Sequence, residues 1–136
     1  MRDIKFRFRL SKEGEKDWVI YLSLDDMFHL TTLFDLIYHD GYKVVAKDEF
    51  TGLKDKNGKE IYEGDIISLP KINCPAEIVW NDKDACFACN WLSEETRRII
   101  KEKGMPYLPG NLTSSGNPWE VIGNIYSNPE LLEAQK

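Results

Sequence analysis

The chain has 136 residues, 42% of them apolar and 30% charged, with a net charge of −5 at pH 7. This is the length of one ordinary domain able to bury a real core, and its acidic balance gives no general pull toward nucleic acid or an anionic membrane. There is no run of about 18 apolar residues, the opening Met1-Arg2-Asp3-Ile4-Lys5 lacks a signal-peptide core, and the odd count of three cysteines fits a reducing compartment, so a cytoplasmic location with no membrane contact is expected.

Ile4, Phe6, Phe8 and Leu10 alternate with Lys5, Arg7 and Arg9, the period of a strand with one buried face. The polar stretch Ser11 to Lys16, with Gly14, turns the chain into a second strand, Trp18 to Leu22, and completes a hairpin. From Asp25 to His39 the period becomes helical: Met27, Leu30, Phe34 and Ile37 form the stripe, widened by Leu33 and Tyr38. Ser23 is the expected cap, Asp25 and Asp26 suit the positive helix end, and Gly41 is the stop. Tyr42 to Val45 returns to strand character.

The pair Asn57-Gly58, set between Leu53 and Tyr62, is a strong hairpin signal and predicts a type I′ turn. Gly64 marks another turn, and Ile66 to Leu69 a strand that Pro70 ends. Two further strands, Ala76 to Trp80 and Ala85 to Trp91, are joined by Asn81 to Asp84; Ala85, Phe87, Cys89 and Trp91 share one face. Ser93 caps a short helix, Glu94 to Lys103, that Gly104 stops. Met105 to Pro118, with three prolines and two glycines, reads as a long loop. The sequon Asn111-Leu112-Thr113 within it is a chance match in a cytosolic chain. Trp119 to Ile125 is a closing strand, and Asn128-Pro129 opens a terminal helix through about Glu133.

These elements predict an α+β fold, mainly β: one domain over residues 1–136, with an N-terminal hairpin and helix (1–43) followed by a small SH3-like, barrel-like sheet (44–136) and a short C-terminal helix.

The segment Thr51 to Ile66, TGLKDKNGKEIYEGDI, resembles the signature of the YopX family of bacterial and phage proteins. The opening Arg2-Asp3-Ile4-Lys5-Phe6-Arg7 and the ending Glu120 to Tyr126 with Asn128 to Leu132 resemble that family's ends. The resemblance implies a phage or prophage origin, a mainly β core and self-association, and it implies no catalytic residues.

Turn chemistry explains most of the signature, but it leaves a mixed-sign set, Lys54, Asp55, Lys56, Lys59, Glu60, Glu63 and Asp65, as the candidate contact surface. A basic stripe, Lys5, Arg7 and Arg9, with Arg97 and Arg98, is the alternative, a single-stranded nucleic-acid contact of the kind small barrels make, against which a pI of 5.1 weighs. Cys86-Phe87-Ala88-Cys89 has the spacing of half a zinc site or a redox pair, yet strand residues three apart point to opposite faces, and only Cys74, His29 and His39 remain as further ligands. Asp35 and His39 stand at i, i+4, the spacing of a surface hydrogen bond or an acid–base pair. The four tryptophans serve a core or a subunit interface. No hydrolase elbow, phosphate-cradling glycine loop or zinc-protease motif appears. The expected function is thus a non-catalytic, cofactor-free phage accessory protein acting through homo-oligomerisation or a phage or host protein; a metal or thiol enzyme ranks last.

Overall fold

A computed structural model describes residues 3–28, 31–103, 108–109, 112 and 116–133. The expected loop from Met105 to Pro118 falls mostly outside them, as do Leu30, Asn111 and Thr113.

The elements run β1 (Lys5–Ser11), β2 (Trp18–Ser23), a 3-10 turn (Asp25–Phe28), α1 (Thr31–Tyr38), β3 (Lys43–Lys54), β4 (Glu60–Tyr62), β5 (Asp65–Ser68), β6 (Ala76–Asn81), β7 (Cys86–Trp91), α2 (Glu94–Lys103), β8 (Glu120–Asn124) and α3 (Glu130–Glu133). The strands make two open four-stranded sheets, in the orders β2-β1-β3-β4 and β7-β6-β5-β8. The mainly β class holds, but among the described residues no ladder joins end strand to end strand, so neither sheet closes into the expected barrel.

Two compact units divide the chain, Met1–Gly52 and Leu53–Lys136. β3 is bound along β1, from Phe6↔Glu49 to Ser11↔Lys43, with a bulge between Arg9 and Leu10, which holds most of β3 in the first unit. In the first unit β1 also pairs with β2 from Lys5↔Ser23 to Leu10↔Trp18. Phe8, Leu10, Leu36 and Tyr42 form the core there, with Phe6, Ile20, Leu22, Leu33 and Ile37 against it. Leu33, Leu36 and Ile37 lie at i, i+3, i+4, so this is the buried stripe of α1; Phe34 and Tyr38, expected inside, stand exposed with their rings 4.4 Å apart. The single helix expected from Asp25 to His39 is instead the 3-10 turn Asp25–Phe28 and the shorter α1, and Ser23 caps the former in a reciprocal pair: its Oγ accepts from Asp26 N–H (3.2 Å) and Asp26 Oδ2 accepts from Ser23 N–H (3.0 Å).

In the second unit β5 is the sheet's interior, with all four residues buried, pairing with β6 on one side and with β8 on the other. Ile61, Ile67, Ala76, Ile78, Cys89, Trp91 and Trp119 form its core. Phe87, Cys89 and Trp91 point into that core as alternation requires, whereas Ala85 sits in the preceding turn with φ 52°.

Candidate functional site

The β3–β4 hairpin carries the candidate contact surface. Asp55 N–H donates to Lys59 O (2.8 Å) and Gly58 N–H to Asp55 O (3.0 Å), closing a three-residue loop in which Gly58 alone has positive φ, 82°. That pattern is a type I turn followed by a left-handed glycine, not the expected type I′, which needs positive φ at Asn57 as well.

Asp55 is only 6% exposed, and its carboxylate is a junction. Oδ1 accepts from Asn57 N–H (2.8 Å) and Lys59 N–H (2.9 Å), which fixes the turn, and Oδ2 accepts from Val121 N–H (3.0 Å), which fastens the turn to β8. Burial alone raises its pKa; the hydrogen bonds from Val121, Lys59 and Asn57, with the Lys59 charge, outweigh that and hold it below the ordinary carboxylate value. The clasp is completed by Lys56 N–H to Trp119 O (2.8 Å), Asn117 Nδ2 to Lys54 O (2.8 Å) and Trp119 N–H to Asn117 Oδ1 (2.8 Å). Asp65, 1% exposed, accepts from Tyr62 N–H (2.8 Å) in the turn before β5.

The signature's charges are therefore sorted by depth. Asp55 and Asp65 leave the surface set because backbone N–H groups claim their oxygens; Glu60, accepting from the Tyr62 hydroxyl at 3.2 Å, and Glu63 are half-buried; Lys54, Lys56 and Lys59 are exposed.

The basic stripe is not a free cationic face. Arg7, 5% exposed, donates from Nε (3.2 Å) and Nη2 (2.9 Å) to Asp48 Oδ2, directly across from it on β3. Arg9 Nη1 lies 3.8 Å from Asp17, and Lys5 Nζ sits over the Phe50 ring at 5.4 Å. The expectation that these side chains face solvent fails because β1 is an inner strand whose neighbour β3 supplies a carboxylate at the matching position. Arg97 and Arg98 are exposed on α2, in the other unit, and Arg97 Nε donates to Trp91 O.

Cys89 is buried and its thiol is pushed up to about 12 by desolvation; Cys74 is buried in the same core and Cys86 is half-buried. Among the described residues no three His, Cys, Asp or Glu side chains group as metal ligands. Asp35 and His39 are 3.7 Å apart and both exposed. Trp91 and Trp119 pack in the core with centroids 5.8 Å apart, whereas Trp18 and Trp80 are exposed. An open groove of about 470 Å³ at the β1–β2 turn is lined by Glu15, Lys16, Asp17, Trp18, Val19 and Tyr42. Sequence reasoning missed the carboxylate acceptors: Asp-x-Asn-Gly-Lys is a local sign that Asp55 accepts from its own turn, but nothing local shows that Val121 shares it.

No curated protein matches this chain. Among solved structures it is similar to protein EF1440 from Enterococcus faecalis, at 23% identity over 95% of this chain and 97% of that one, with a TM-score of 0.47. The family model described as YopX protein matches residues 11–133, nearly the whole length. The chain belongs to the YopX family.

Proposed function

We propose that this protein is a non-catalytic interaction module that works by association with a second copy of itself. The observation that carries the reading is where apolar side chains meet solvent. Among the described residues, nine exposed large apolar side chains lie in the first 52 residues (Ile4, Trp18, Val19, Tyr21, Leu24, Phe34, Tyr38, Val44 and Val45) against five in the longer second unit. Val19 and Tyr21 share one face of β2, and Phe34 and Tyr38 stack on α1 with ring centroids 4.4 Å apart; adjacent exposed apolar groups of this kind mark contact sites, whereas isolated ones need no explanation.

The chemistry of the polar groups supports the non-catalytic half. The most buried carboxylates of the signature hold backbone amides, the Cys89 thiol stays protonated, and the Asp35–His39 pair stands open to water. A phage or prophage origin is part of the same reading and rests on the family resemblance. The test is the light-scattering mass of the purified chain over the micromolar range. A multiple of 15.8 kDa is expected, and a mass of one chain throughout would sink the proposal.

A further inference from the structure

The two sheets have four end strands, and an end strand left bare is a template for another chain. Three of the four are guarded. β4 carries Glu60 and buries Ile61 and Tyr62. β7 has no charge, but Leu92 N–H turns to Pro75 O on the β6 side, so the neighbouring Trp91 carbonyl faces the outer edge, where Arg97 of α2 donates to it. β8 carries Glu120 and lies against α3, so closely that a Cβ on Gly123 would stand 3.0 Å from Leu131.

The fourth, β2, has the sequence WVIYLS, with no charge, glycine or proline, and its register with β1 is unbroken. Trp18 is 50%, Val19 36% and Tyr21 56% exposed. None of the usual devices that keep an edge from pairing is present: no lysine, no proline, no bulge. The backbone orientation is also fixed. Leu24 N–H donates to Ile4 O (2.9 Å), just before β1, while Ser23 N–H turns the other way to the Asp26 carboxylate (3.0 Å). Alternation therefore aims the even-numbered amides of β2 at β1 and that of Val19 outward.

We propose that β2 is the association surface: it pairs antiparallel with β2 of a second copy of this chain, about a two-fold axis, to join two sheets into one. This rests on the self-association reading above and adds where it occurs. A net charge of −5 opposes association in general, but Trp18 to Leu24 has no charge, so two copies meet there without like charges opposite. With Tyr21 of one copy opposite Tyr21 of the other, antiparallel pairing sets Lys16 against Asp26, and Asp17, which comes opposite Asp25, is already engaged by Arg9 at 3.8 Å. A two-fold contact covers both edges at once and closes, as a foreign strand on each copy does not.

Val19→Pro tests the pairing, since proline at an outward amide of an end strand removes a donor that the β1–β2 ladder does not use. Mass over the micromolar range is read beside far-UV circular dichroism, with Ile122→Lys on β8 as the control. The expected result is a multimeric wild type and control, with a Val19→Pro dissociation constant raised about tenfold or more at unchanged dichroism. If Val19→Pro loses its dichroism, Val19→Lys, which sets a charge on the same edge, decides in its place. A multimer indifferent to the Val19 variants overturns the β2 assignment and leaves self-association standing. A single-chain mass in the wild type at every concentration overturns both and leaves the edge to a foreign strand.

Discussion

Asp55 holds three backbone N–H groups with two oxygens. Asp55→Ala should cost about 1–3 kcal/mol in denaturant unfolding, the range for leaving buried donors unmade. Asp55→Asn should also lose stability, because one of its two positions becomes a donor facing a donor. The pH dependence follows from the direction of the shift. A carboxyl held below the ordinary 3.8 contributes stability that is complete above the unfolded-state value and is lost as pH falls through the lower folded one. Acid should therefore destabilise the wild type more steeply below about pH 5 than it does Asp55→Asn. At Cys89 the raised thiol gives a second outcome: an aromatic disulfide reagent should modify Cys86 ahead of Cys89 and Cys74 in the folded protein, and all three alike in denaturant. Equal rates in the native state would contradict the burial described.

Among the elements, α3 is entered through a closely fitted turn. Asn128 Oδ1 accepts from Asn124 N–H (3.3 Å), Asn128 N–H donates to Asn124 O (2.9 Å), and a Cβ added at Gly123 would sit 2.5 Å from that same Oδ1 and 2.8 Å from Asn128 Cγ. Gly123→Ala should push the Asn128 side chain out of its bonds and cost about 1–3 kcal/mol, read as a lower thermal midpoint. The turns, caps and most strands were legible because their signals are local: Ser23 and Asp26, Asn57 and Gly58, Asn128 and Pro129 act within a few residues. The full length of β3 was not, since Lys47 to Lys54 mixes charge, glycine and apolar residues and becomes strand between its two sheet neighbours, β1 as far as Glu49 and β4. The candidate site was half legible for the same reason. Alternation placed Arg7 on an outer face, and only the cross-strand register brings Asp48 to it from 41 residues away.

At the scale of the whole molecule, charge is dispersed rather than gathered. Of the cations proposed for a nucleic-acid contact, Arg7 and Arg9 are engaged by Asp48 and Asp17, and the remainder are split between the two units. Fluorescence anisotropy with labelled single strands at low salt should accordingly show no salt-sensitive binding; a steep salt slope would revive that alternative.

The placement of β8 in its sheet has a consequence in time. β5, buried at all four residues, receives one of its two neighbours from a strand that begins 52 residues later in the chain, at Glu120. A ribosome adding about 5–20 residues per second needs roughly 3–10 s to cover that distance. For that interval Asp65 to Ser68 has an open flank carrying Ile66 and Ile67, while β1, β2 and β3 are already complete. The nascent chain is thus most prone to mispair in the middle of its second unit, and shortening the delay by faster elongation, or covering the segment with a chaperone, should raise the soluble yield.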